Sequence, residues 1–338
     1  MSHSAVSGIS VIIPNYNGRY LLEKIMTPLL EGLKTSGLPF EVIVSDDKST
    51  DDSVSYLQSG FPAVKIIENE TNQGFAPTIN KGIFIAQHSH LLLLNSDVKL
   101  TAGYFSNQLR YFEREDTFGV MGRIVGWDND IIQDGGKYPA FHGLKIKTSG
   151  NYVPVEEKPE HWLYSMYLSG ANAFVDRKKI IQLGGFNELF APFYVEDYEL
   201  SLRAWRFGWK CYYDHPSICR HKESVTIKTK TRKSQINKIY YRNKMYLHAL
   251  HLSKGQLFLW HIQLFFECLL NLIVGRLYYL KAFVQYVRHR PAVRTKRKEF
   301  RNLAAEAGKK LLSLKEVTQL VLTNIGQVRT KRLNEGQQ

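Results

Sequence analysis

Cysteine is scarce in this chain of 338 residues, and the loops that cradle nucleotides in the commonest α/β enzymes are missing. Its three cysteines, Cys211, Cys219 and Cys268, form no C-x-x-C pair, and their number is odd, which argues against a disulfide framework or a zinc ribbon. No basic segment followed by an apolar one occurs in the N-terminal stretch MSHSAVSGIS, so no signal peptide is expected there and a reduced, cytoplasmic setting is the default. No G-x-G-x-x-G follows the first apolar run and no G-x-x-x-x-G-K-[ST] is present, which excludes a dinucleotide fingerprint and a P-loop triphosphatase. Nor does the chain have the low hydrophobicity that disorder requires: 44% of residues are hydrophobic and 22% charged, enough for one large core or two smaller ones.

Acidic residues are also short in one part of the chain. Residues 220–338 hold 25 Lys and Arg against six Asp and Glu, whereas residues 1–219 hold 20 against 25. The net charge of +14 is therefore a mildly acidic body with a strongly basic tail. Such a tail seeks an anionic partner, either a membrane surface or nucleic acid.

What is present in the body is an alternation of short apolar runs and helical patterns. ISVIIP (9–14), FEVIVSDD (40–47), AVKIIEN (63–69) and HLLLLNSD (90–97) are continuous rather than alternating, as suits strands buried on both faces of a parallel sheet. Helical patterns at 19–36, 51–59, 75–87 and 101–115 separate and follow them, giving a doubly wound α/β succession. Open sheets of this kind bind ligands at the carboxyl ends of their strands. There the chain places Asn15-Tyr16-Asn17-Gly18, Asp46-Asp47, Asn72-Gln73-Gly74 and Asn95-Ser96-Asp97. Any one of these is an ordinary turn; four on one rim, with carboxylates straight after apolar strands, predict a site. Carboxylates can accept hydrogen bonds from a base or ribose, or hold a divalent cation against a diphosphate.

VIIPNYN, VSDDKSTD, NQGFAPTINKG and LLLLNSDV, followed by GGFNELFAPFYVEDYELSLRAWRFGWK and RHKESVT, together resemble glycosyltransferase family 2, rhamnosyltransferase-like bacterial members included. The resemblance runs from about residue 9 to about residue 245. It implies the GT-A fold, a Rossmann-like, doubly wound and mostly parallel sheet, and an inverting transfer from a nucleotide-sugar. It implies nucleotide-side roles for Pro14, Tyr16, Asn17, Asp46, Asp47, Asn72 and Gly74, with Asp46 and Asp47 on the base and ribose. Lys48 departs from the small residue common after that pair. Asn95-Ser96-Asp97 matches the family's DxD motif with Asn95 in place of the first Asp, so Asp97 is the implied metal ligand and Asn95 a hydrogen-bonding neighbour. The family's general base falls on Asp197, at the start of a helix expected over roughly 197–207, where acidic residues also serve the helix dipole. Glu196 and Glu199 read as supporting or surface groups, Gly184-Gly185 as the turn before the acceptor loop, and Trp205 and Trp209 as near the acceptor face. His221 matches a metal-binding His of some members; its imidazole suits Mn²⁺ better than Mg²⁺.

Residues 256–288 hold the longest apolar stretch, with Gln256, Gln263, Glu267, Asn271, Lys281, Gln285 and Arg288 on one narrow stripe. Glu267 and Arg276 interrupt a simple transmembrane span, so an in-plane interfacial helix is expected, flanked by Arg288, Arg290, Arg294, Lys296, Arg297 and Lys298. A core-packed or dimer-forming helix is the alternative.

The expectation is thus a GT-A domain over 1–245 and a basic, membrane-associating helical tail over 246–338. Its activity would be a transfer, dependent on a divalent cation (Mn²⁺ or Mg²⁺), from a UDP- or dTDP-sugar to a glycan or lipid-linked glycan in bacterial surface polysaccharide synthesis. The expected location is the cytoplasmic face of a membrane, peripheral or monotopic, with an anionic surface rather than nucleic acid as partner. Alternatives are transfer to a polyprenyl phosphate, or a noncatalytic protein of the same fold whose tail binds nucleic acid. The sugar, the linkage and the oligomeric state stay open.

Overall fold

Residues 8–156, 158, 161–222 and 232–333 are described by a computed structural model of the chain. The first seven residues of the N-terminal stretch and the R-H-K-E-S-V-T segment beyond Lys222 lie outside the described residues.

The four apolar runs form β1 (Ile9–Asn15), β2 (Phe40–Asp46), β3 (Lys65–Glu68) and β4 (His90–Leu94), all parallel, in the order β3-β2-β1-β4. Their composition explains the placement. Val11, Ile13, Val42, Val44, Leu92 and Leu94 enter the apolar layer on one side of the sheet, while Ile12, Ile43, Leu91 and Leu93 enter the layer on the other. A strand that is apolar at every position is stable only with both faces covered. Helices α1 (Arg19–Thr35), α2 (Ser53–Gly60) and α3 (Phe75–Ile85) supply the crossovers at the expected places.

Past β4 the chain departs from the expected helix at 101–115. A short β5 (Val98–Leu100) is followed by turns and a single 3-10 turn at Leu109–Glu113. Gly103 takes a left-handed backbone (φ 74°), which a continuous helix does not admit. The sheet then grows by β6 (Thr117–Gly126), β7 (Ile132–Asp134), β10 (Leu163–Tyr164), β11 (Asn172–Asp176) and β12 (Lys210–His221). The main path is β3-β2-β1-β4-β11-β6-β12-β10, with β11 antiparallel to both its neighbours and β12 parallel to β6. A second, three-stranded sheet consists of β8 (Gly136–His142), β9 (Lys145–Pro154) and β13 (Thr330–Leu333). Short helices α4 (Arg177–Gln182) and α5 (Glu196–Arg206) lie between strands.

The C-terminal region is helical: α6 (Lys233–His251), α7 (Lys254–Ile273), α8 (Leu277–Glu306) and α9 (Leu314–Ile325). The division expected at residue 245 falls inside α6, whose Met245, Tyr246, Leu247 and Leu250 are buried in the main core. Val293, Phe300 and Ala304 of α8 and Val317, Val321 and Ile325 of α9 join the same core.

The stretch read as one helix over 256–288 is two. Gly275, with φ 70°, turns the chain between α7 and α8. The orientation of α7 is also the reverse of that expected for a helix whose polar stripe meets water. Its polar stripe faces the protein: Gln263 accepts from the Leu144 amide, and Glu267 pairs with Lys145 and accepts from the Tyr279 hydroxyl. Trp260, Leu264 and Cys268 are buried, while Phe258, Phe265, Phe266, Leu270 and Ile273 are exposed. Arg297, expected on the basic flank, turns inward and donates to the carbonyls of Ala249 and Leu252 at the end of α6.

Candidate active site

The carboxyl ends of β1 and β2 are stitched together by side chains. Register pairs Asn15 with Asp46, and Asn15 Nδ2 donates to Asp46 Oδ2 at 2.8 Å. Ser49 adds its amide to Oδ1 at 2.7 Å and its hydroxyl to Oδ2 at 2.6 Å. Asp46 thus uses most of its acceptor capacity inside the protein, as a clasp for the loop that follows. Asp47 does the same one step outward. It accepts from Asn69 Nδ2 (2.8 Å) and from the amides of Gln73 (2.8 Å) and Gly74 (2.9 Å), tying β2 to the Asn72-Gln73-Gly74 loop. Asn17, at φ 53°, accepts from the Thr50 amide at 2.7 Å. Lys48 is exposed at φ 66°, a backbone region that disfavours large side chains by about 1–2 kcal/mol. Pro14 and Tyr16 flank this knot half-buried, and Asn72 is exposed.

Gly74 explains how the nucleotide-side loop meets the acceptor-side loop. Its φ is 87°, and a Cβ there would lie 2.6 Å from the Cα of Pro192. The next amide, Phe75 N, donates to Pro192 O at 2.8 Å.

The implied metal ligands meet through strand register. β12 pairs with β5 so that His221 lies opposite Val98, and the Lys222 amide donates to Asp97 O at 3.0 Å. His221 Nε2 then stands 3.5 Å from Asp97 Oδ2. Gln133 Oε1, on β7, lies 3.0 Å from His221 Nδ1 and must accept from it, so a neutral imidazole carries its lone pair on Nε2. Asp97 Oδ1 and Asn95 Oδ1 are buried and have no hydrogen-bond partner among the described residues. A buried carboxylate oxygen without a donor is costly and suits a cation. No cluster of three or more Cys, His, Asp and Glu occurs among the described residues, so these would supply two ligands, Asp97 and His221. A donor diphosphate and water would supply the rest, as is usual for hard cations on phosphates. The residues present fit a divalent ion.

Asp197 sits at the head of α5, after a strained approach. Tyr194 and Val195 both have φ 75°, an outlying region for a β-branched residue. Asn243 of α6 holds that loop by donating to the carbonyls of Phe190 (2.7 Å), Phe193 (3.0 Å) and Tyr194 (2.8 Å). Asp197 Oδ1 accepts from the Tyr198 amide at 2.7 Å and Oδ2 from the Gly170 amide at 3.3 Å. One residue on, Ala171 O accepts from the Asn95 amide at 3.1 Å. The turn at 169–172 therefore joins the base candidate to the metal motif. Burial pushes the Asp197 carboxyl up, and its two amide partners and Lys137 only partly offset this. Glu196, buried with Oε2 unpartnered, is pushed up strongly by burial and by the charge of Asp197.

Other sequence readings change place. Glu199 is not a surface group: it is 1% exposed, bonded to Arg203 Nε at 2.9 Å and 3.4 Å from His251 Nε2. Burial pushes its carboxyl up, but Arg203 and His251 outweigh this and leave it below the usual range. Arg203 in turn donates to the carbonyls of Leu183 and Gly185, which hold the Gly184-Gly185 turn. Trp205 and Trp209 belong to the core; Trp205 Nε1 donates to Ser165 O, and Trp209 stacks on Phe118. The aromatic groups beside Asp197 are Tyr198 and Tyr167, stacked at 5.1 Å. Sequence reasoning missed Gly170, Lys137 and Asn243, which motif spacing does not reveal.

Comparison with known proteins agrees with this fold. Residues 10–180 match the profile of glycosyl transferase family 2. An N-acetylglucosaminyl-diphospho-decaprenol L-rhamnosyltransferase of Mycobacterium tuberculosis is 24% identical over 223 residues, 56% of this chain and 68% of that protein. Among solved structures, GalNAc-T7 with UDP, GalNAc and Mn²⁺ superposes with a TM-score of 0.65 at 15% identity, covering 96% of this chain. This chain spans 58% of the GalNAc-T7 chain. A mannosyltransferase from Pyrobaculum calidifontis in complex with GDP-Man and Mn²⁺ gives a TM-score of 0.50 at 15% identity, covering 96% of this chain and 81% of that one. These likenesses place the chain in the GT-A fold.

Proposed function

The chain belongs to glycosyl transferase family 2, and we propose that it is an inverting, divalent-cation-dependent glycosyltransferase acting on an acceptor held at a membrane surface. The observation that carries this reading is the turn at 169–172, which binds Asp197 through Gly170 N and Asn95 through Ala171 O. It sets a proton acceptor and a diphosphate-side motif on one rim.

In this reading Asp197 accepts the proton of the acceptor hydroxyl as that oxygen attacks the anomeric carbon from the face opposite the diphosphate. The bond from the anomeric carbon to the diphosphate breaks, and configuration inverts. A carboxyl raised by burial is better matched to a hydroxyl proton near neutral pH than an ordinary aspartate. Asp97 and His221 would hold the cation, which when bound neutralises the diphosphate charge. Asn17, Asp47 and Gly74 shape the nucleotide side, and Asp46 acts chiefly by holding its loop. Pro14, Tyr16, Asn72 and Asn95 line the same strand-end rim.

The donor class is a nucleotide diphosphate sugar, with UDP- and dTDP-sugars the first to try, and the acceptor a glycan or lipid-linked glycan of a bacterial surface polysaccharide. The named mycobacterial relative, whose acceptor is a diphospho-decaprenol glycolipid, supports the lipid-linked choice. So does α7, which among the described residues is the helix long and apolar enough to cross a membrane, at mean hydropathy 1.4. Its exposed apolar face, with exposed Arg276, Lys281, Arg288, Arg294, Lys296 and Lys298 nearby in sequence, suits an anionic bilayer at the cytoplasmic side.

A donor panel tests the reading by release of nucleotide diphosphate, with Mn²⁺ and with chelator. Release from one donor that depends on metal supports it; no release from any donor, with folded protein and metal present, overturns it.

A further inference from the structure

A cavity of about 280 Å³ opens between β9, α6 and the inner face of α7, and it contains Lys145, Lys147, Lys244, Trp260 and Leu264. We propose that it is an acceptor subsite that binds the phosphate of a lipid carrier, placing the attached sugar against Asp197 and the lipid chain along α7. This rests on the transferase reading above and names the chemistry by which its acceptor is held.

The charges in the cavity are unequally answered. Lys145 pairs with Glu267. Among the described residues, Lys147 and Lys244 have no ion-pair partner within 4.0 Å, and Lys244 Nζ lies over the rings of Tyr198 (5.3 Å) and Tyr240 (5.6 Å) instead. Three lysines at the cavity thus meet two carboxylates, Glu267 paired with Lys145 and Asp197 facing Lys244, and the net positive charge left over calls for an anion. Lys145 and Lys147 are two apart on β9, so they share one face of the strand. The groups facing Lys244 are Asp197 and Tyr198 from α5, Lys145 and Lys147 from β9, and Tyr240 and His248 from its own helix. Burial lowers the Lys244 ammonium to about 8, with Asp197 raising it and the two other lysines lowering it further.

Position narrows the anion to one carried by a lipid. Lys244 lines the cavity, lies over Tyr198 and interacts with Asp197, so the cavity borders the neighbourhood of the base. Its opposite wall, Trp260 and Leu264, is the inner side of a helix whose outer side is exposed Phe265, Phe266, Leu269 and Leu270. A phosphate with a sugar on one oxygen and an apolar chain on another has a place for each part. The donor's diphosphate is assigned in this reading to the Asp97–His221 pair at β5 and β12, and neither strand contributes a residue to the cavity.

Calorimetric titration of the intact chain with dodecyl phosphate, in chelator so that no cation draws phosphate to the donor side, tests the proposal. Saturable one-to-one binding is expected, with dodecyl maltoside and inorganic phosphate each weaker by roughly tenfold or more. Lys147→Gln, at an exposed position that does not threaten folding, should weaken dodecyl phosphate several-fold, roughly 3–10 times, and Lys147→Arg should retain it. Adding Lys244→Gln should deepen the loss. At pH 8, where about half of Lys244 is neutral, binding should take up part of a proton, and Lys244→Gln should abolish that uptake. Equal binding of maltoside, or binding unchanged in both glutamine variants, overturns the site. Inorganic phosphate binding as tightly as dodecyl phosphate overturns the lipid assignment. Failure of the donor panel with this binding intact would instead reject the transferase reading alone.

Discussion

His221 Nε2 lies 3.5 Å from Asp97 Oδ2, and backbone pairing of β5 with β12 puts it there. The amide of Lys222 donating to Asp97 O locks the same register. The two side chains therefore form a preset pair, with the Asp97 Oδ1 atom buried and unpartnered beside them.

Removal of divalent metal should abolish metal-stimulated donor turnover, and Mn²⁺ should restore it more fully than Mg²⁺ because one ligand is an imidazole. Asp97→Ala should cost roughly 10²–10³ in turnover and His221→Ala roughly 10–10², since the first removes charge as well as a ligand. Full activity in excess chelator would exclude the metal role.

Asp197→Asn keeps shape and removes the base. Turnover should fall by roughly 10²–10⁴ while donor affinity stays within about threefold. The wild-type rate should also fall on acidification earlier than an ordinary aspartate would make it. Burial raises this carboxyl, so its working, deprotonated form is lost as pH drops through a value above the usual aspartate range. Glu196 beside it is raised as well, so the acid limb belongs to the pair rather than to one residue. A pH–rate profile flat down to about pH 4 would contradict this assignment.

The Glu199–Arg203 pair gives a stability prediction away from the chemistry. Arg203→Met leaves a buried carboxylate without its partner and frees the carbonyls of Leu183 and Gly185, so about 3–5 kcal/mol of stability should be lost. Glu199→Gln combined with Arg203→Met should recover part of it. Denaturant melts of the two variants check the sign, and equal loss in single and double variants would rule the ion pair out as the cause.

The parallel half of the fold was legible because its signal is local: four unbroken apolar runs ending in Asn or Asp. The closeness of Asp97 and His221, the proposed metal pair, was suggested only by resemblance, since no pattern within the sequence announces that His221 will lie opposite Val98. β6 to β13 were not read, because their residues serve two different sheets and carry no single period. Glu199 shows the same limit. At the head of an amphipathic helix it looks solvent-directed, and its burial depends on Arg203 one turn later and on His251 of α6. The docking of α7 lies beyond the sequence pattern for a related reason: a polar stripe can meet water or protein, and Gln263 and Glu267 use theirs to dock the helix on β9 and its flanking turn.

Four buried histidines should make the protein sensitive to mild acid. Burial lowers His90, His215 and His251 to about 4 and His248 to about 3. Each is neutral in the fold at pH 6 but takes a proton near 6.5 when unfolded. The unfolded chain thus binds more protons, and stability is present above about pH 6.5 and lost as pH falls toward the folded values. Each histidine should cost on the order of 1 kcal/mol by pH 5.5. The melting temperature should therefore drop between pH 7 and pH 5; a constant value over that range would refute the linkage.

The membrane role of α7 can be separated from its structural role because its two sides do different things. The inner side cannot be altered without loss of packing, since Trp260, Leu264 and Cys268 are buried. A truncation near residue 250 would not separate the roles, because it would strip Val293, Phe300, Val317 and Val321 from the core and should destabilise the rest. The outer side can be altered. Phe258, Phe265, Phe266 and Leu270 are each more than half exposed, at 67%, 58%, 57% and 62%, and removing them takes little from the fold. Phe265→Ser and Phe266→Ser together should leave the melting temperature nearly unchanged and weaken flotation with vesicles of anionic lipid. Burying the two rings in a bilayer is worth about 1.5–3 kcal/mol each, so loss of both should lower partitioning by at least about tenfold. Replacing Lys296 and Lys298 by Gln should act differently, reducing binding at low salt and little at high salt, because screening already removes that part. If both sets of variants float as the wild type does, the exposed face of α7 meets something other than a membrane; if the serine pair unfolds the chain, it is part of the core.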